Sequence, residues 1–493
     1  MMNQEKKITS GYPLIINYLG IFAVLIGLIN LLPLFVLIFY PNEHTHALDF
    51  IIPGVASIII GLFIGFLFRG REKGRLERHQ DAVLVVCIWL LAILISAIPF
   101  VLTGSYTFSQ SIFEVTSGYS TTGLTVVDVE SSSHMLLVFR SLLQFFGGVG
   151  LVLVLTSAIS DKFGMRLYSA EGHSDKLVPN LIRSGRTILS IYIGYILVGM
   201  FIYILFGMTP FDAFNHAIAA VATGGFSTKA ASIGHYNHLG IEMTTIILMI
   251  LGGTNFFVHL MLIKGKFKNV FKHVELKLLA ILVIIFIPFL VINMINFSNA
   301  SFGSALRISS FQFFSAITGT GYQTVNSFQA LPSFFNLVLI LMMVLGAGMG
   351  STAGGMKQYR VALAFKSMYW NIKEQLSHKK TIRTHFISKL GTKTVVDKDE
   401  VNHNHSFLMV YVIVLITGTF IFAAHGNGIF ESLFEFASAL GTVGLSVGIT
   451  GAHASNSILW TATVGMFLGR LEFYVIFVAI AKISMDLSKR KVY

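Results

Sequence analysis

Four segments of this 493-residue chain combine glycine with threonine or serine in a pattern suited to binding a dehydrated cation. They are FEVTSGYSTTGLT (113–125), FDAFNHAIAAVATGGFST (211–228), FQFFSAITGTGYQT (311–324) and FEFASALGTVGLS (434–446). Backbone carbonyls can replace the hydration shell of a cation without a fixed charge that would trap the ion. Glycine permits the unusual backbone angles that such a loop requires. We interpret the four segments as the four parts of one ion-binding ring.

One glycine in each segment, followed by a large apolar or aromatic residue, is the centre of the predicted site. These glycines are Gly123, Gly225, Gly321 and Gly444, with Gly224 as an alternative in the second segment. The full predicted set of ion-binding residues is Thr121, Thr122, Gly123, Thr223, Gly224, Gly225, Thr318, Gly319, Thr320, Gly321, Thr442, Val443 and Gly444. One such element would be a weak signal, because small residues also serve helix packing, but four at matched positions favour an ion site.

A phenylalanine followed by an acid or amide begins each segment; the second residues are Glu114, Asp212, Gln312 and Glu435. The central glycine lies ten positions after the phenylalanine in three segments (113 to 123, 311 to 321 and 434 to 444) and fourteen positions after it in the second (211 to 225). The difference predicts a short pore helix that is about one turn longer in the second segment. We expect the three acids to stabilise the N-terminal ends of the pore helices rather than to bind the ion.

The composition requires that these segments sit in a membrane. The chain is 54% hydrophobic and 12% charged, with 44 Phe and 9 Pro. Apolar runs of about 20 residues, the length that spans a bilayer, recur throughout. The predicted spans are 14–40, 48–68, 82–103, 134–160, 187–208, 239–263, 274–296, 333–360, 406–425 and 456–483. The single cysteine, Cys87, lies within a span, where packing is its expected role.

The net charge of +12 is distributed as the positive-inside rule describes, which argues against binding of nucleic acid. Lysine and arginine are concentrated in the junctions 69–81, 161–186, 264–273 and 361–405. The intervening junctions 41–47, 104–133 and 426–455 have none, 209–238 has Lys229 and 297–332 has Arg307. This alternation predicts that both termini face the cytoplasm. We expect the basic segment 361–405 to contact membrane lipid. The polar start MMNQEKKITSGYP predicts that there is no cleavable signal peptide.

We therefore predict an all-α polytopic membrane protein in which a unit of span, pore helix, filter loop and span occurs four times around a central pore. Loops at membrane depth are tolerated only where they are buried or line a water-filled cavity. The predicted divisions are an added N-terminal helix pair (1–80) and repeats at 81–186, 187–273, 274–405 and 406–493, the third with a cytoplasmic linker.

A glycine-rich run, LGAGMGSTAGGMK (345–357), lies in the eighth predicted span. It follows no strand and lacks the lysine placement of a phosphate-binding loop. Two interpretations stay open: small residues for close helix packing, or an unwound loop that gates the pore. The candidate gate residues are Gly346, Gly348, Gly350, Ser351, Thr352, Gly354, Gly355 and Arg470. Arg470 is included because a charge within a span is costly and marks a functional position, although an arginine can also pair with carbonyls for packing alone.

The strings STTGLT (120–125), GGFST (224–228), GSTAGGMK (350–357) and MFLGRLEFY (466–474) resemble the Trk/Ktr/HKT superfamily of potassium transporters, and SAEGHSDKLVPNLIRSGRTI (169–188) is similar to a cytoplasmic segment of that family. The similarity covers about 14–485 and is strongest to bacterial Trk-type membrane subunits. The resemblance implies a K+ pathway through each subunit, a homodimer, a cytoplasmic nucleotide-binding regulatory ring, a gate loop in the third repeat and a pore-facing Arg470. Glycine at position 123 goes with K+ preference in this family, whereas serine goes with Na+ permeation.

The predicted function is K+ uptake across the cytoplasmic (inner) membrane through a gated, carbonyl-lined filter, with no organic cofactor in this chain. Obligatory K+/Na+ or K+/H+ symport is the alternative within the same class. A membrane-embedded enzyme is a remote alternative, because the spans show no convergent catalytic group. We therefore expect no enzymatic activity.

Overall fold

Long apolar helices dominate the computed structural model, which describes residues 11–68, 76–150, 181–298, 300–377, 384–389 and 392–490. Within these ranges six helical segments are long and apolar enough to cross a membrane, and two further helix pairs qualify if each bent pair counts as one span. Two shorter apolar helices, His134–Val149 and Ser333–Leu345, complete the set. The ten predicted spans fall on these ten elements, so the chain is an all-α polytopic membrane protein.

The helices of the described ranges are labelled in chain order. They are α1 (Tyr12–Leu31), α2 (Ala47–Leu67), α3 (Gln80–Leu102), α4 (Phe108–Tyr119), α5 (His134–Val149), α6 (Leu181–Leu205), α7 (Pro210–Val221), α8 (Leu239–Gly252), α9 (Phe256–Ile263), α10 (Phe267–Phe271), α11 (Val274–Ser298), α12 (Phe302–Thr318), α13 (Ser333–Leu345), α14 (Gln358–Gln375), α15 (Lys398–Ala424), α16 (Ile429–Leu440), α17 (Asn456–Arg470) and α18 (Tyr474–Arg490). Short 3-10 helices cover Leu32–Ile38, Pro41–His46 and Ser232–His235.

Helices α1 and α2 form an antiparallel pair whose glycines allow the two backbones to approach closely. A Cβ at Gly27 would meet the carbonyl oxygen of Gly54 at 2.6 Å. The Ser57 hydroxyl donates to the carbonyl oxygen of Ala23 at 2.7 Å. Small residues and interhelical hydrogen bonds of this kind hold helices together where lipid supplies no hydrophobic driving force.

The pore helices are α4, α7, α12 and α16, and their lengths contradict one prediction. α7 has 12 residues, as do α4 and α16, whereas α12 has 17. The predicted extra turn in the second segment is therefore wrong. Phe211 is the second residue of α7, so it is not equivalent to Phe113, which lies in the middle of α4. Side-chain caps fix the starts of three of these helices: Thr107, Thr209 and Ser301 accept hydrogen bonds from the third helical residue.

The second span of each repeat is interrupted at the same place. α5 ends at Val149, α8 bends by 104° into α9, α13 ends at Leu345, and α17 bends by 98° into α18. The fourteenth position counted from the start of each helix is glycine: Gly147, Gly252, Gly346 and Gly469. A Cβ at Gly147, Gly252 or Gly469 would collide with a carbonyl oxygen at the end of the adjacent pore helix. These three glycines therefore let the second spans of the first, second and fourth repeats close against their own pore helices.

The predicted basic linker between the third and fourth repeats contains structure that the sequence did not indicate. α14 extends to Gln375, and an antiparallel hairpin pairs β1 (Phe386–Lys389) with β2 (Thr392–Val395). The predicted junction residues 69–75 and 161–180 lie outside the described residues, as do the last part of the predicted span 134–160 (151–160) and most of the string at 169–188.

Candidate ion-binding ring and gate

The four loops that follow the pore helices share one backbone conformation. Each begins with a residue of positive φ, namely Thr121 (56°), Thr223 (52°), Gly319 (69°) and Thr442 (51°). Two residues later comes a glycine of positive φ, namely Gly123 (94°), Gly225 (68°), Gly321 (81°) and Gly444 (100°). The backbone amide of the residue between them donates a hydrogen bond to a carbonyl oxygen of the pore helix. Thr122, for example, donates to the carbonyl oxygen of Ser117 at 2.9 Å. The left-handed conformation explains why glycine recurs at the second position.

These glycines form a closed circle of contacts between repeats. A Cβ on each would collide with the carbonyl oxygen of the residue that precedes the corresponding glycine in the next repeat. The contacts are Gly123 with Gly224, Gly225 with Thr320, Gly321 with Val443, and Gly444 with Thr122. The circle also shows that Gly225, and not Gly224, is equivalent to Gly123. We call the oxygens of Thr122, Gly224, Thr320 and Val443 the carbonyl layer.

Thr318, which was predicted to be part of the ion-binding set, is the last residue of α12 rather than a loop residue. Its hydroxyl donates to the carbonyl oxygen of Phe314 at 2.6 Å and lies 2.8 Å from the hydroxyl of Thr320. This hydroxyl is therefore hydrogen-bonded within its own repeat.

The acids assigned to helix N-termini behave differently from one another. Asp212 does lie in the first turn of α7. Glu114 and Glu435 are each the seventh residue of a 12-residue helix, so the predicted terminal role is wrong for these two. We call Gly123, Gly225, Gly321 and Gly444 the ring glycines. Glu114 and Glu435 lie nine positions before the ring glycines of their repeats, where the second and third repeats have His216 and Gln312.

All four residues at this position bind the loop that returns from the ring. Glu114 accepts from the amide of Val126 at 2.9 Å, and Glu435 accepts from the amide of Val447 at 2.7 Å. In the other two repeats the contacts are to side chains, from His216 Nε2 to Ser227 Oγ at 2.9 Å and from Gln312 Nε2 to Thr324 Oγ1 at 3.2 Å. In each repeat one side chain of the pore helix thus restrains the loop by a hydrogen bond, whether that side chain is a carboxylate, an imidazole or an amide.

Arg140 on α5 is a residue that the motif search missed. Its Nε donates to Glu114 at 2.8 Å, and both side chains are 1% exposed. Its other nitrogens donate to the Thr125 hydroxyl at 2.9 Å and the Ser227 carbonyl oxygen at 3.2 Å. The same guanidinium lies 4.0 Å from the ring centre of Phe226, so Arg140 joins the loops of the first and second repeats. Its position as a charge within a span was the signal that could have revealed it.

The glycine-rich run is not a helix: α13 ends at Leu345 and α14 begins at Gln358. We call residues 346–357 the gate loop. Gly346, Gly350 and Gly355 have positive φ, as an unwound segment requires. This geometry excludes close packing within a regular helix as the explanation for these glycines.

The gate loop contacts the filter loops of all four repeats. The carbonyl oxygen of Thr352 accepts from the Thr121 hydroxyl at 3.3 Å, and the Thr352 hydroxyl lies 2.9 Å from that of Thr223. A Cβ at Gly319 would lie 3.4 Å from that of Ala353, and a Cβ at Gly354 would collide with Thr442. The loop therefore lies across the side of the ring where the pore helices end.

Arg470, the last residue of α17, binds this loop from the side. It donates to the carbonyl oxygens of Thr352 and Gly147. Glu472, two residues further on, pairs with Arg360 on α14. The predicted gate residues in the third repeat and Arg470 are thus brought together by the fold.

The geometry defines a class of protein: a polytopic helical membrane protein with four pseudo-equivalent re-entrant loops closed into a ring. The chain belongs to the TrkH family of cation transport proteins, whose family model matches residues 46–490.

Individual relatives match along almost their whole length. The chain is 31% identical to the Trk system potassium uptake protein TrkG of Escherichia coli, over 95% of this chain and 98% of the relative. It is 29% identical to an uncharacterized cation transporter of Methanocaldococcus jannaschii, over 95% of both chains. The crystal structure of the potassium transporter TrkH from Vibrio parahaemolyticus matches with a TM-score of 0.84 and 24% identity, covering 95% of this chain and 98% of that one. The likeness to this crystal structure shows the fold alone.

Proposed function

We propose that this chain carries K+ across the membrane through the ring, with oxygens of the filter loops as ligands. The observation that carries the proposal is the closed circle in which each ring glycine lies against a carbonyl oxygen of the next repeat. Such a ring offers a dehydrated cation several carbonyl dipoles and no fixed charge. Several relatives, including those of Escherichia coli and Salmonella typhimurium, are named as potassium uptake proteins, which supports K+ as the ion.

The gate loop and Arg470 form the gate in this proposal. The loop lies across the ring on one side, and the Arg470 guanidinium, bound to the Thr352 carbonyl, places a positive charge beside it. A fixed positive charge at a constriction opposes the passage of cations. Transport requires the loop to move, and the membrane potential then drives uptake with about 2.3 kcal/mol per charge per 100 mV.

The proposal includes the setting of the protein. We place it in the cytoplasmic (inner) membrane with both termini in the cytoplasm, as a homodimer on a nucleotide-binding regulatory ring. The alternation of basic and uncharged junctions supports the orientation. The division into an N-terminal pair and four repeats belongs to the proposal as well, supported by the matched positions of the pore helices. Co-purification with a cytoplasmic Trk-type subunit tests the assembly.

The decisive experiment is rescue of a K+-uptake-deficient bacterium at low external K+, with and without Na+. We expect growth in both media. Growth that depends on Na+, or flux in liposomes whose reversal potential shifts with the Na+ or H+ gradient, would indicate obligatory symport instead. Failure of rescue by a protein that is present in the membrane at normal levels, together with no K+ flux in liposomes, contradicts the proposed function.

A further inference from the structure

A buried side chain at one position of the second spans differs between the repeats. Counted from the first residue of α5, α8, α13 and α17, the eleventh residue is Gln144, Met249, Met343 and Met466. All four are 0% exposed. A glycine follows each of them three positions later, at 147, 252, 346 and 469, and confirms that these residues are equivalent. Three repeats therefore have a thioether at this site, and the first has an amide.

The amide of Gln144 binds the filter loop of the second repeat. Its Nε2 donates to the carbonyl oxygen of Gly224 at 2.5 Å. Its Oε1 accepts from the amide of Phe226 at 3.3 Å. The acceptor Gly224 is the second-repeat member of the carbonyl layer, which a methionine side chain would leave without a donor.

The same contact explains an irregularity in the sequence. The residue before the ring glycine is Thr122, Thr320 or Val443 in three repeats and Gly224 in the second. A Cβ at Gly224 would collide with the side-chain amide of Gln144. The glutamine at 144 therefore requires glycine at 224, because a residue with a Cβ would collide with its amide.

The other members of the carbonyl layer lack this restraint. Among the described residues, no hydrogen-bond donor reaches the carbonyl oxygens of Thr122, Thr320 or Val443. A carbonyl that already accepts a hydrogen bond is held in one orientation and has one lone pair fewer for a cation. The carbonyl layer therefore has three oxygens without a hydrogen-bond donor among the described residues and one, that of Gly224, that Gln144 restrains.

We propose that Gln144 is a positioning residue that sets ion selectivity by restraining the Gly224 carbonyl and so making the carbonyl layer asymmetric. This inference rests on the proposed function. Selectivity depends on the number and field strength of the coordinating dipoles, and Gln144 changes both at one of the four positions.

The test uses the whole protein in liposomes and measures the K+/Na+ permeability ratio. Gln144→Met gives the first repeat the methionine that the other three repeats have at this position. Gln144→Glu keeps the shape of the side chain but replaces its amide donor with a carboxylate. We expect the ratio to change about fivefold in Gln144→Met, the effect of one net hydrogen bond, while K+ flux persists. Met466→Leu, at the equivalent position of the fourth repeat, is the matched control and leaves the ratio unchanged.

A measurement on the parent protein covers the case in which the variants do not fold. With Rb+ in place of K+, anomalous scattering locates the bound ion, which we expect closer to the oxygens of Thr122, Thr320 and Val443 than to that of Gly224. An ion equidistant from all four oxygens, or an unchanged ratio in folded Gln144→Met, overturns the inference. In either case K+ flux through the parent protein leaves the proposed function intact, whereas absence of that flux would contradict the proposed function itself.

Discussion

Glu114 and Arg140 form an ion pair at 2.8 Å in which both side chains are buried, and the equivalent described positions of the other three repeats have no such pair. The equivalents of Glu114 are His216, Gln312 and Glu435, and the equivalents of Arg140 are uncharged. The pair joins the pore helix and second span of the first repeat, and Arg140 continues to the loop of the second. Its desolvation is offset by further hydrogen bonds to the same groups.

Removing one partner of this pair should destabilise the protein strongly. Arg140→Leu leaves the Glu114 carboxylate buried without its cation, and we expect the free energy of unfolding to fall by about 3–5 kcal/mol. Unfolding in detergent, followed by circular dichroism, measures the effect. Lys229→Met is the control, because Lys229 lies 3.6 Å from Asp212 and is partly exposed, so that pair contributes about 0–1 kcal/mol. Equal losses in the two variants would contradict the structural role of Arg140.

Gly123→Ser should lower selectivity for K+ over Na+. The substitution places a Cβ against the Gly224 carbonyl and an L-residue at a φ of 94°, at a strain of about 1–2 kcal/mol. The carbonyl layer then has to shift, which changes the cage that replaces the hydration shell. Rb+ and Na+ permeability ratios in liposomes measure this. Gly451→Ser is the control, since a Cβ there meets no atom within 4 Å; an unaltered ratio in Gly123→Ser would refute our assignment of the ring.

Arg470→Ala should raise K+ flux several-fold. The variant removes a positive charge and the hydrogen bonds from Arg470 to the carbonyl oxygens of Thr352, in the gate loop, and of Gly147, on α5. The loop is then freer to leave the ring, and the electrostatic barrier to cations is lower. K+ efflux from liposomes is the measurement, with Lys482→Ala on α18 as the control for loss of a positive charge away from the loop. Flux at the parent level in Arg470→Ala would show that this arginine serves packing alone.

Glu435 offers a test of the restraint on the fourth loop. Glu435→Ala leaves the amides of the half-buried Val447 and the buried Thr450 without their acceptor, which we expect to cost about 1–3 kcal/mol of stability. Glu435→Gln retains an acceptor oxygen and should cost less. Thermal unfolding of the two variants ranks them. Glu431→Ala, in the first turn of the same helix, should behave like the parent. A larger loss in Glu435→Gln than in Glu435→Ala would show that loop hydrogen bonding is not the reason for this acid.

The sequence by itself determined the class of protein, the positions of the spans and the four filter loops. These properties are local: apolar length sets a span, and each loop has a glycine at its second left-handed position. Local pattern failed where the repeats diverged. Phe211 and Asp212 match the opening of the other segments by residue type, yet they lie one turn too early, and His216 holds the equivalent position.

Only the tertiary structure decided which residues meet across repeats. The contacts of Gly123 with Gly224, of Gln144 with Gly224, and of Arg470 with Thr352 join parts of the chain separated by about 80 to 118 residues. No period in the sequence encodes such pairs, because they arise when four similar units close into a ring and each unit is bound by its neighbour. The ring and the glycine-rich loop were therefore predictable from the sequence, whereas the contact of Gln144 with the Gly224 carbonyl was not.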